Sequence, residues 1–206
     1  MRRSVYINWP KGRLALVLAA CTALASCAAL GPQEATSDTY QLSSPGSLKA
    51  SPVRSGVQLL VPEPTALKAI DSENIVVRPD PITLQYLGDS QWSDRLPRLV
   101  QQRLAEALES TGRFEGVGLP GQGLAIDYQL VTEVRSFGVE IASGQALVVI
   151  GVKLLNDRNG GVRATRTFSA AAPVVPGASA PQYIAAIDRA FGLVVQDIVL
   201  WTTSRL

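Results

Sequence analysis

The chain has 206 residues, 47% of them hydrophobic and 17% charged, with a formal net charge of +2, two cysteines and no histidine. This is the composition of a globular protein long enough to build a substantial core. The lack of histidine excludes imidazole acid–base work, Ser–His triads and nearly all zinc sites.

The N-terminal stretch MRRSVYINWPKGR carries Arg2, Arg3, Lys11 and Arg13 and no acidic residue, and an apolar run from Leu14 to Ala25 follows it. A basic start, a short apolar core and small residues before a cleavage site make a secretory signal, here read as residues 1–26. The run is shorter than the roughly 20 residues a membrane-spanning helix needs. It ends in Leu24-Ala25-Ser26-Cys27, which resembles the bacterial lipobox. That resemblance implies that Cys27 becomes the N-terminus and carries diacylglycerol on a thioether and an acyl chain on its amine. Removing 26 residues leaves 180. It takes away four basic residues and no acidic one, so 15 Lys and Arg face 17 Asp and Glu, and the net charge becomes about −2. No basic patch points to a nucleic-acid partner. Cys27 would be the one remaining thiol, so neither an intrachain disulfide nor a cysteine nucleophile is expected.

Residues 27–56 are rich in Ser, Pro, Gly and Ala and read as a lipidated tether, with a short strand at Thr39–Leu42 as an option within it. The folded domain is expected over 57–206. Val57–Val61 reads as a strand stopped by Pro62 and Pro64, and Thr65–Glu73 as a helical turn or loop. Ile75–Arg78 and Ile82–Leu87 read as strands split by Pro79-Asp80-Pro81. A helix is predicted over about 94–111, with Asp94 as N-cap and Gly112 as stop. Leu96, Leu99, Val100, Leu104, Ala107 and Leu108 fall on one face. Gly116–Gly121 matches G-x-G-x-x-G, but a helix precedes it and a strand follows, the reverse of a dinucleotide site, so it reads as a linker.

Residues 124–134 alternate as a half-solvated strand. Residues 146–155 are apolar on both faces and suit a central strand, and 162–170 return after a turn at Asn156–Gly161. A second helix is predicted over 180–203, where Ile184, Ile187, Phe191, Val194, Ile198 and Trp201 step by three and four. Together these elements predict an α+β, two-layer domain: a mainly antiparallel or mixed sheet with two long helices on one face. Asp127, Glu133, Asp188 and Asp197 read as solvated. No catalytic residue, cofactor or metal is expected beyond the lipid on Cys27. Phe137, Val139 and Ile141 alternate within Phe137–Gly144, a pattern that fits both an exposed partner-docking patch and a half-buried strand.

The order of several motifs is similar to that of the ABC-type transport auxiliary lipoproteins, including the lipoprotein of the paraquat-inducible system. They are Arg78–Pro81, Leu84–Tyr86, Trp92–Pro97, Leu99–Gln101, Ser110–Phe114, Asp127–Leu130, Arg166–Ala170 and Ile198–Trp201. The similarity runs over about residues 40–204. It implies a non-catalytic component, facing the periplasm from the outer membrane, beside a mammalian-cell-entry (MCE) domain protein with its permease and ATPase, moving lipids between membranes. Ala28 and Ala29, neither of them the Asp that retains many lipoproteins at the inner membrane, agree with the outer membrane. The residues themselves leave a homo-oligomer open. They also leave two rivals: a stand-alone envelope lipoprotein that binds a small apolar ligand or supports envelope assembly, and an enzyme working with carboxylates or Ser and Tyr alone.

Overall fold

The computed structural model describes residues 37–44, 46, 55–123 and 125–206. The predicted signal, Cys27 and much of the predicted tether lie outside these residues. In chain order the strands are β1 (Asp38–Tyr40), β2 (Ser55–Leu60), β3 (Thr65–Ala66), β4 (Asn74–Arg78) and β5 (Gln85–Trp92). Helix α1 (Leu96–Ser110) follows, then β6 (Phe114–Gly118), β7 (Tyr128–Glu140), β8 (Gln145–Asn156) and β9 (Val162–Pro173), and last helix α2 (Ala180–Thr203).

The nine strands form one mixed sheet with β7 as its spine. On one side β7 pairs with β8 in antiparallel register from Tyr128↔Asn156 to Glu140↔Gln145, and β8 pairs in turn with β9. The other side is tiled end to end by three parallel partners: β2 at Tyr128 and Gln129, β3 at Glu133 and Val134, and β4 at Gly138 to Glu140. Beyond these, β6 extends the sheet from β2, and β5 followed by β1 extends it from β4. The predicted α+β class is the observed one.

Strand β7 shows why its second half escapes a periodicity argument. Leu130, Thr132 and Val134 are buried while Glu133 and Arg135 are exposed, the expected two-residue alternation. The register then slips between Val134 and Ser136, and the buried positions become Phe137 and Val139. Such a bulge adds one residue and switches the parity of the strand. A strand and a separate loop in the sequence are therefore one strand of 13 residues. β8 is central as predicted, with Ala146, Val148, Ile150, Val152 and Leu154 turned into the core.

Both helices pack on the sheet and touch one another; α2 lies over β7, β8 and β9, and α1 beside β6. Every apolar position predicted for the α1 face is buried. Its start differs. Arg95 occupies the N-cap position, with no side-chain cap, and the Asp94 carboxylate accepts from the Arg95 backbone N–H at 2.7 Å. The first helical N–H, of Leu96, donates to the Ser72 carbonyl at 3.0 Å, so tertiary contact replaces the expected Asp94 cap. Gly112 ends the helix at φ +62°, a conformation that favours glycine. In α2 the whole predicted stripe is buried, and Ser179 and Gln182 form a capping box at its start.

Three segments differ from what the sequence predicts. Residues 38–44 belong to the domain and not to a tether. β1 pairs with β5, Leu42 is buried in the core, and its carbonyl accepts from Arg103 Nε of α1 at 2.8 Å. The next N–H, of Ser43, donates to Asp188 of α2 at 2.8 Å. The strand expected at Ile82–Leu87 begins three residues later. Asp80 accepts the backbone N–H groups of Ile82 and Thr83 at 2.9 and 2.8 Å, which holds a turn there and leaves Ile82 95% exposed. The glycine-rich stretch after α1 is not all linker: Phe114–Gly118 is β6, parallel to β2.

Candidate functional site

The sequence proposed Phe137, Val139 and Ile141 as a possible docking patch. Phe137 and Val139 are core residues. Phe137 is 2% exposed, with its ring against Trp92 and Phe191, and Val139 is fully buried. The half-buried-strand reading of this alternation is the one the structure bears out, because the bulge turns these side chains inward. Ile141, just past the strand, is half-buried at the turn, where its N–H donates to the Arg78 carbonyl at 2.9 Å.

That turn does border a recess. Where β4 ends and β7 gives way to the Ile141–Gly144 turn, Arg78, Asp80, Pro81, Glu140, Ala142 and Ser143 line a groove of about 400 Å³. Arg78 crosses it. Its Nη1 stands 3.4 Å from Ser136 Oγ and 3.9 Å from Glu140 Oε1. Asp80 rims it as a carboxylate held below its usual range, because the Thr83 side chain and then the Ile82 and Thr83 backbone N–H groups donate to it. Ser143 Oγ is engaged with the Glu140 carbonyl at 3.2 Å. The groove thus brings together a cation, two carboxylates and a hydroxyl.

A second recess, of about 260 Å³, lies on the sheet face away from the helices, with Val131, Glu133, Arg135, Gly151, Lys153, Thr165 and Thr167 among its lining. Arg135, the residue displaced by the bulge, spans it. Nε donates to Glu133 at 2.8 Å and Nη1 to Thr167 Oγ1 at 3.0 Å. The guanidinium lies flat over Gly151, where a side-chain carbon would stand 2.9 Å from Nη2.

Asp127 is not freely solvated: it accepts from the Gln58 N–H at 3.0 Å and from Arg158 at 2.6 Å, and these donors keep it below the usual carboxylate range. Arg95 bridges Asp71 and, at 3.0 Å, Glu63; Arg98 lies 3.8 Å from the same Glu63. The bond to Asp71 raises the Arg95 pKa further. This ion-pair cluster ties the loop before β4 to the start of α1, which the sequence motif alone did not reveal. Among the described residues, no group of three or more His, Cys, Asp or Glu is placed to hold a metal ion. No helix among them is long and apolar enough to cross a membrane.

Among the described residues a single mixed sheet is covered on one face by two helices, open on the other, and bordered by polar recesses, which defines an α+β domain. The chain belongs to the family of ABC-type transport auxiliary lipoprotein components, whose model matches residues 40–199. It is similar to protein XCC0632 of Xanthomonas campestris, a solved structure, with a TM-score of 0.73 at 28% identity over 82% of this chain and 96% of that one. The hypothetical protein CT253 of Chlamydia trachomatis shares the fold, with a TM-score of 0.52 at 6% identity over 73% of this chain and 98% of that one. Protein bll6063 of Bradyrhizobium diazoefficiens, itself uncharacterised, is 29% identical over 80% of this chain. The chain spans 44% of that relative's length.

Proposed function

We propose that this protein is the lipid-anchored, non-catalytic component of an MCE-type ABC transport system that moves lipids between the inner and outer membranes. It would stand at the outer membrane, facing the periplasm, and dock the transport assembly. The observation that carries this reading is the family match, which runs through nearly the whole folded domain, from β1 to the last turns of α2. The lipobox-like Leu24–Cys27 supports an anchor. In this reading Cys27 and its acyl chains hold the domain at the bilayer, since two or more chains are needed for firm anchoring. Hydrolysis and the membrane passage belong to the ATPase and permease. The groove at Arg78, Glu140 and Ser143 and the open sheet face are the surfaces for the assembly, because both present unburied polar groups.

The test is cross-linking in intact cells, followed by purification of the lipidated protein and identification of what is joined to it. An MCE-domain protein, permease or ATPase in the cross-linked product supports the reading. A well-expressed, stably folded protein joined to none of them overturns it.

A further inference from the structure

Among the described residues strand β9 is an edge of the sheet: it pairs with β8 and with no other strand. Its register with β8 is unbroken from Ala164 to Pro173, so its outer side is a straight run of backbone N–H and C=O groups. Edge strands are ordinarily blunted by charges, bulges, prolines or a covering element. Here the charges, Arg163 and Arg166, lie at one end and Pro173 at the other, while Ser169–Ala172 between them carries only small neutral side chains. Arg163, Thr165, Arg166, Thr167, Ser169 and Ala171 are all exposed.

The two arginines are held in place without a carboxylate. Arg163 sits over the Tyr128 ring, 5.5 Å from its centroid, with Nη1 3.1 Å from the Tyr128 hydroxyl. Arg166 sits over Phe168 at 5.0 Å. Arg78, Arg95, Arg98, Arg103, Arg135 and Arg158 are in ion pairs, and none of these lies on β9. β9 itself contains no acidic residue.

We infer that the free edge of β9 is a strand-addition site for an extended, acidic segment of a partner protein. Backbone pairing would run along the small-residue half, where no bulky side chain hinders approach, and an Asp or Glu side chain of the added strand would meet Arg166, while Arg163 is turned the other way, across β8 onto Tyr128 of β7. A second copy of this chain is the poorer occupant, because β9 against β9 brings together only cations and neutral residues, with no complementary charge. The site does not depend on which transport assembly the protein serves.

The probe is a blocked peptide of about nine residues, within the usual range of strand lengths, with Glu alternating with Thr and Val. Hydrogen exchange is measured on the full-length protein in detergent micelles. The acidic peptide should slow exchange of backbone amides within 164–172. The same peptide with Lys for Glu should not, nor should an acidic peptide N-methylated at alternate amides. The variant Arg166→Glu should bind the acidic peptide about tenfold more weakly or worse. The inference is overturned if the acidic peptide leaves β9 amides unprotected, or if the Lys or N-methylated peptide protects equally. It is overturned too if protection appears without peptide as the protein dimerises. The three peptides are compared on the unaltered protein, so the outcome stands even if the variant folds poorly.

Discussion

The indole of Trp92 meets the ring of Phe137 edge to face, with 6.0 Å between centroids and 82° between planes, and Phe137 leans in turn on Phe191 at 5.5 Å. Three aromatic rings thus join β5, β7 and α2 at one point in the core. Replacing Phe137 with Ala should lower stability by about 3–5 kcal/mol, the range for emptying a buried aromatic site. The melting temperature should fall by roughly 6–20 °C for a domain of this size. Ile141→Ser, at a half-buried turn, should cost under about 1 kcal/mol. Thermal unfolding of the two variants side by side checks this, and equal losses would contradict the burial difference.

Gly138 is required by close approach. A side-chain carbon there would stand 2.3 Å from the Val76 carbonyl oxygen on the parallel neighbour β4. Gly138→Ala must push β4 and β7 apart, and should destabilise by about 3 kcal/mol or more, the upper range for overpacking. Gly88→Ala is the control. Nothing lies within 4 Å of that position and its φ is not positive, so a change within about 0.5 kcal/mol is expected by denaturant melting.

Stability should fall in acid partly through Asp127. The Gln58 N–H, and after it Arg158, hold its carboxyl below the usual range in the folded state. A depressed folded pKa contributes stability that is fully present above the ordinary carboxylate pKa of about 4 and is lost as pH falls through the lower, folded value. Chemical denaturation from pH 7 to pH 2 should show this decline. Asp127→Asn should be less stable at neutral pH and should show a shallower loss in acid.

The anchor makes a separate prediction. Cys27→Ser should abolish incorporation of labelled fatty acid and release the protein from the membrane fraction. Density-gradient separation of the unaltered protein should recover it with the outer membrane, and recovery with the inner membrane would refute that placement.

What the sequence determined by itself is local. The stripe of α2 and the apolar face of α1 repeat every three to four residues, and burial follows that repeat because a helix presents one face whatever lies opposite. β8 was legible as a central strand because its side chains are apolar in both directions. Tertiary structure decided what depends on distant partners. The segment 38–44 has too little apolar surface to fold alone, yet it is held by Arg103 and by Asp188, the latter 145 residues from Ser43. The tiling of one side of β7 by β2, β3 and β4 pairs strands far apart in sequence, which no local pattern encodes. The fate of Phe137 and Val139 turned on the slip between Val134 and Ser136. Alternation specifies two faces but not which one is inside, and a single extra residue exchanges them.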